Sequence, residues 1–143
     1  GNWSIGTDSH IGINPLEELR LLDYGQRLTS HQRNTFTSSV QGDTGQYAIE
    51  MATFAGRKAM NDFSTEFFAV GNPLNASVMD ENAPLLASTS KEKRTSSIVF
   101  TADATQHSGT IVNGKIVVSE GKHHKQKEIR TEFAATIKSL SNR

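Results

Sequence analysis

The residues near the start of the chain have the types and spacing that could do chemistry. Gly6-Thr7-Asp8-Ser9-His10 follows a short apolar run and precedes a helix signal. In a barrel of alternating strands and helices, catalytic groups stand at the C-terminal ends of strands. Carboxylate oxygens suit a divalent metal, and a carboxylate beside a metal-bound water can accept its proton. Asp8 is therefore the first catalytic candidate, and an ordinary turn is the alternative interpretation of the same run.

Five histidines are the other candidate ligands. His10 lies two residues after the candidate aspartate and could reach the same pocket; alternatively, it caps its own loop. His31 and His107 stand in polar stretches predicted to be loops, without a carboxylate at ligand spacing. The adjacent His123 and His124 are predicted to lie in a solvated stretch at a helix start. Because a zinc site takes at least three protein ligands, the chain is not expected to complete one from its own residues.

Composition excludes several functional classes. The 143 residues suffice for a domain with a core, and their formal net charge is zero. A neutral chain carries no electrostatic signature of binding to nucleic acid or to an anionic membrane. The lack of cysteine excludes disulfides, thiolate catalysis and cysteine-based zinc sites. No apolar run approaches the roughly 20 residues that span a bilayer, and no signal-peptide pattern is present. These features favour a cytoplasmic protein.

Two elements would position the candidate aspartate. An apolar run predicts a strand over residues 2–8. Asn14-Pro15-Leu16-Glu17 then combines an N-cap, a proline at the first helical position and an early glutamate. Leucines follow at helical spacing, so a helix is predicted over 15–29. Arg20 and Arg27 are predicted to lie on the solvated side of this helix, with anion recognition as the alternative.

A boundary near 62–66 separates a helical half of the chain from a mostly β half. A second capping pattern and small apolar residues predict a helix over 44–60. A loop or one helical turn is predicted within 80–96, and 97–100 is predicted to be either a strand or a helix end. Two short strands are also predicted: 67–70 and 76–79.

The strongest β signal is a hairpin over 110–118, where two β-rich runs flank Asn113-Gly114, a pair typical of type I′ turns. A final amphipathic helix is predicted over 125–140. The chain does not begin with methionine and enters a predicted buried strand within a few residues. We therefore expect it to be a piece of a longer protein.

Several stretches resemble the formimidoylglutamate deiminases of the amidohydrolase superfamily. Residues 6–10 and the run EELRLLDYGQRL at 17–28 resemble the end of the barrel in that family, and the second run distinguishes it from its relatives. Residues 51–56 resemble the helix after the last barrel strand. Residues 111–123 resemble the closing hairpin of the small β domain, a feature shared across the superfamily.

The resemblance implies a fold of the α/β class. The chain would be the C-terminal fragment of a (β/α)8 barrel, comprising its last strand and following helices, with part of a small β-sandwich. Residues 1–62 would form the end of the barrel and 63–123 part of the sandwich. Residues 124–143 would form a C-terminal helix.

The resemblance also implies an activity, the hydrolysis of N-formimidoyl-L-glutamate to N-formyl-L-glutamate and ammonia in histidine degradation. Asp8 would be a ligand of a single Zn²⁺ and would take a proton from the water, with Ser9 and His10 near the substrate. The remaining ligands would lie on earlier strands, so the fragment alone is expected to be inactive. The alternatives are another amidohydrolase, acting as a deaminase or chlorohydrolase, and a non-catalytic α+β module.

The same reasoning predicts assembly. A barrel needs roughly 200 residues, so the strand and helices would have apolar faces that the missing segments normally cover. We expect a homo-oligomer with Leu19, Leu22, Ile49 or Met51 partly buried between chains. Light scattering at micromolar concentration measures this.

Overall fold

A computed structural model describes residues 1–40 and 42–141, which form two compact units. The first unit combines Gly1–Phe67 with Asp80–Asp103, and the second combines Phe68–Met79 with the chain from Ala104 onward. The predicted boundary at 62–66 is close to the first crossing between units. However, 80–103 belongs with the helical unit and not with the β unit. No helix in the described part of the chain is long and apolar enough to cross a membrane.

The two long helices of the first unit begin where their capping residues predicted. Helix α1 spans Pro15–Ser30, and the side chain of Asn14 accepts a hydrogen bond from the Leu16 amide at 3.1 Å. Helix α2 spans Thr44–Ala59, and Asp43 accepts from the Gln46 amide at 2.9 Å. Both predictions are confirmed. The helices begin at these residues because the capping side chains satisfy backbone donors that the helix itself leaves open.

The core of this unit forms where α1 and α2 meet a third helix. After a one-turn helix α3 at Pro84–Ala87 and a 3₁₀ turn at Lys91–Lys93, helix α4 spans Arg94–Thr101. Four apolar side chains from α1, α2 and α4 are buried together: Leu19, Ala48, Ala52 and Val99. Leu19 is only 4% exposed because it packs within this core. The predicted association itself stays a prediction.

The strand predicted over 2–8 does not form. Trp3, Ile5 and Thr7 are half-buried and the residues between them are exposed, so burial alternates as it does along a strand. Trp3 and Ile5 pack against the core. A strand also needs a neighbour to share its backbone hydrogen bonds, and no strand of the described residues pairs with this segment. The segment therefore has the burial alternation of a strand but belongs to no sheet of the described residues.

A further predicted strand, 67–70, does not form, and the run 97–100 adopts the helical one of its two predicted alternatives. The run 67–70 forms bends because Phe68 has a φ of 58°, in the left-handed region, and the Asn72 amide closes a turn onto the Ala69 carbonyl. The run 97–100 lies inside α4, as the helical alternative predicted. Its buried Val99 joins the helical core, and this tertiary contact outweighs the β preference of Ile98-Val99-Phe100.

The second unit contains a four-stranded antiparallel sheet in the order β1-β2-β3-β4. The strands are Ala76–Met79, His107–Val112, Lys115–Ser119 and Lys122–His123. The predicted hairpin is confirmed, since Asn113 and Gly114 have φ values of 48° and 75°, as a type I′ turn requires. Helix α5 follows at Gln126–Ser141 and buries none of its described residues. The assignment of these units to a barrel and a sandwich stays a prediction.

Asp43 joins the start of α2 to α4. Its carboxylate accepts hydrogen bonds from the Gln46 amide at 2.9 Å and from Ser96 Oγ at 2.5 Å, and Lys93 Nζ lies 3.3 Å away. Burial by itself would raise the pKa of Asp43. The hydrogen bonds from Ser96, the Gln46 amide and Lys93 outweigh burial and lower the pKa below the ordinary 3.8.

Stability is therefore expected to fall in acid. Because the folded pKa of Asp43 is lower than the unfolded pKa, its contribution is complete above the unfolded value and is lost as pH falls through the folded one. Urea unfolding between about pH 5 and about pH 2 measures this slope. Asp43→Asn keeps a capping side chain and should flatten the slope.

The exposed Glu66→Gln is the control and should keep the wild-type slope. Asp62 and Glu92 also have lowered pKa values and are unchanged in both variants, so the difference between the variants isolates Asp43. An unaltered acid slope in Asp43→Asn would contradict the assignment.

Candidate functional site

Asp8 lies in a tight turn and not at the end of a strand. The His10 amide donates a hydrogen bond to the Thr7 carbonyl at 2.5 Å, closing the turn over Asp8 and Ser9. The φ of Asp8 is 27°, a left-handed conformation that aspartate tolerates better than most residues. Asp8 and Ser9 are exposed, and His10 is half-buried. The predicted strand end is thus wrong, but the turn presents the Asp8 carboxylate to solvent.

His10 ties this turn to the first turn of α1. Its Nδ1 forms a hydrogen bond with Oε1 of Glu18. That hydrogen bond raises the pKa of His10 against a lowering by desolvation, and the charges of Glu18 and Glu17 raise it further. The stabilising contribution of the charged pair is present below the ordinary histidine pKa and is lost as pH rises through the raised value.

Sequence reasoning missed Glu18 as the partner of His10. Glutamates in the first turn of a helix stabilise the positive end of its dipole, so the Glu17-Glu18 pair at the start of α1 does not by itself indicate a side-chain partner. The signal that could have found it is the location of a histidine just before a capped helix start. The chain then folds back and brings His10 alongside the first helical turn.

The remaining histidines lie apart from this turn in sequence. His31 is the C-cap of α1, with a φ of 55°, and His107 is the first residue of β2. The prediction of a loop is therefore wrong for His107. His123 ends β4, and its ring stacks on that of His124 with centroids 4.4 Å apart.

The donor set does not fit a complete zinc site. Within residues 1–40 and 42–141, no group of three or more His, Cys, Asp or Glu side chains is placed to hold a metal ion. A catalytic zinc needs three protein ligands and an open position. Asp8, Ser9 and His10 are consecutive residues of the turn, and the imidazole Nδ1 of His10 is already hydrogen-bonded to Glu18.

The arginines of α1 make internal contacts. Arg27 Nη2 lies 2.6 Å from Oδ2 of Asp23, whose side chain is 1% exposed, and its guanidinium lies over the rings of Tyr24 and Phe100 at 5.7 and 5.5 Å. Arg20 donates to the Ala102 carbonyl at 3.0 Å. Both arginines thus join α1 to its surroundings, and the prediction of a simple solvated face is wrong.

An open groove of about 430 Å³ lies between the N-terminal segment, α1 and α2. Ser4, Ile5, Leu16, Ile49 and Thr53 are among its lining residues, which are mostly apolar. The turn at Asp8 is not part of its lining. Apolar lining of this kind favours burial.

Comparison with known proteins places these features in context. The sequence is 31% identical over 140 residues to the formimidoylglutamate deiminase of Pseudomonas aeruginosa, an alignment that covers 98% of this chain and 31% of that protein. No protein-family model matches the sequence. The chain therefore spans about a third of the length of the curated relative that it matches.

A comparison of folds also finds a similar protein. The crystal structure of an amidohydrolase from Brucella melitensis superimposes with a TM-score of 0.79 and 25% sequence identity, covering 98% of this chain and 30% of that chain. The resemblance stated from the sequence is confirmed. Over nearly its whole length, the chain is similar to about a third of a formimidoylglutamate deiminase and of an amidohydrolase.

Proposed function

We propose that this chain is the C-terminal portion of a hydrolase that converts N-formimidoyl-L-glutamate and water to N-formyl-L-glutamate and ammonia. The observation that carries the proposal is the 31% identity to a formimidoylglutamate deiminase, which extends over 98% of the chain. The superposition on an amidohydrolase supports the same class of protein.

Asp8 is the residue of this chain that we propose for the chemistry. It is exposed on a turn whose backbone is closed by the hydrogen bond from His10 to Thr7, so its carboxylate is open to a partner from outside the turn. A carboxylate in an active site can accept a proton from an attacking water. Ser9, on the same turn, would lie near the substrate together with His10.

Zn²⁺ is the cofactor that we propose for the longer enzyme. The described residues do not supply the three ligands that a catalytic zinc requires. The chain would contribute Asp8 alone, and segments outside it would contribute the others. The isolated chain is therefore expected to lack activity.

A non-catalytic binding module is the second candidate, favoured by the same missing convergence of ligands. Another amidohydrolase acting as a deaminase or chlorohydrolase is the third. The run EELRLLDYGQRL at 17–28 favours the deiminase over this last alternative, because it resembles the deiminases specifically.

Assays of two polypeptides discriminate these functions. The 143-residue chain and the product of the longest reading frame that contains it are each given N-formimidoyl-L-glutamate, and ammonia and N-formyl-L-glutamate are quantified. We expect equal amounts of both products from the longer polypeptide and none from the short chain.

Turnover of a guanine or a chlorotriazine in place of N-formimidoyl-L-glutamate supports the third candidate. The remaining zinc ligands expected from the resemblance are a His-x-His pair and two further histidines. A reading frame that lacks them and shows no activity supports a binding module. Activity in the short chain would overturn the proposed division of ligands.

A further inference from the structure

The turn that carries Asp8 is held from outside itself. Within the turn there is one backbone hydrogen bond, from the His10 amide to the Thr7 carbonyl, and Asp8 has a positive φ. A residue other than glycine in this region costs free energy and persists only when its surroundings enforce it. The preceding residues Trp3 and Ile5 are fixed by the core, but they lie before the turn.

The contact from beyond the turn is made by Glu18. Its carboxylate bonds to His10 Nδ1, on the last residue of the turn, and its side chain is 17% exposed against 37% for His10. Glu18 stands in the first turn of a helix whose start is set by Asn14 and Pro15. A partly buried contact from a rigid helix restricts the end of a turn more than solvent contacts do.

Gly12, in the loop between the turn and the helix, lies beside the side chains of His10 and Glu17. A β-carbon at Gly12 would lie 3.0 Å from Oε2 of Glu17 and 4.0 Å from Cε1 of His10. The two side chains thus come together over a glycine that leaves room for both. Glu17 neighbours the pair but is not the residue bonded to Nδ1.

We propose that Glu18 is a positioning residue which, through its bond to His10, holds the turn that presents Asp8. The relevance of Asp8 rests on the proposed function, whereas the restraint on the turn can be measured in the chain by itself. Glu18 acts indirectly, since its carboxylate touches His10 and not Asp8.

NMR of the isotope-labelled 143-residue chain tests this restraint. Two signals report on it: the Nδ1 resonance of His10 and the hydrogen-exchange rate of the His10 amide. We expect Glu18→Ala to move the Nδ1 resonance and to speed exchange by about tenfold, because the turn opens more often. Glu18→Gln keeps an acceptor for Nδ1–H and should restore most of the wild-type rate. Glu17→Ala is the matched control: it removes a neighbouring charge but leaves the hydrogen bond between Glu18 and His10 in place, so the exchange rate of the His10 amide should not change.

His10→Ala is the second variant, in case Glu18→Ala disturbs the start of α1. It removes the same bond from the other side and should speed exchange at position 10 by a similar factor. Wild-type exchange in both alanine variants would overturn the proposal. Loss of exchange protection in Glu17→Ala equal to that in Glu18→Ala would also overturn it. Neither outcome depends on enzyme activity, so this proposal and the proposed function can fail separately.

Discussion

Replacement of Gly45 by alanine is expected to destabilise the helical unit strongly, although it adds only one methyl group. Gly45 is buried near the start of α2, and a β-carbon there would lie 2.5 Å from Cα and 3.0 Å from the backbone nitrogen of Ser96 on α4. Backbone atoms cannot turn aside as a side chain can, so α2 and α4 must separate. Overpacking of this kind costs about 3 kcal/mol, above the roughly 1 kcal/mol that alanine gains over glycine in a helix.

Gly25→Ala is the matched control for this prediction. Gly25 lies inside α1, and apart from its chain neighbours and the backbone of its own helix, no described atom comes within 4 Å of a β-carbon built on it. With no clash, the helix preference of alanine should stabilise the chain by about 1 kcal/mol. Urea unfolding of both variants measures the difference. A Gly45→Ala protein as stable as the wild type would show that α2 and α4 do not approach this closely in solution.

Asp8→Asn in the longer polypeptide is expected to lower kcat by a factor of about 10² to 10⁴. The amide has nearly the shape of the carboxylate but carries no charge and cannot serve as a base near neutral pH. Asparagine also tolerates a positive φ, so the turn at Asp8 should keep its conformation. The substitution thus tests chemistry with little effect on the fold. Steady-state release of ammonia measures it.

Glu120→Gln is the control for this loss of a carboxylate. Glu120 is exposed and has a φ of 50°, so its backbone setting resembles that of Asp8 while it belongs to the second unit. We expect its kcat to match that of the wild type. Near-normal turnover by Asp8→Asn would remove Asp8 from the mechanism. Equal losses in both variants would point to stability and not to chemistry.

Local sequence determined the features that depend on neighbouring residues. Asn14 and Asp43 mark the starts of α1 and α2 because their side chains satisfy free amides of the adjacent helical turn. Asn113-Gly114 determines the hairpin because both residues accept positive φ values. The resemblance to formimidoylglutamate deiminase could also be found from residue order, and the comparisons confirmed it.

Only the tertiary structure decided the features that need a distant partner. Residues 2–8 have the burial alternation of a strand but no neighbouring strand among the described residues, and strand formation depends on that pairing. Residues 97–100 have β-rich composition, yet Val99 is buried in a helix because α1 and α2 cover it. Glu18 bonds to His10 because the chain folds back and places His10 beside the first turn of α1. Spacing along the chain predicts contacts within one turn of a helix or one hairpin, whereas these three outcomes depend on which segments pack together.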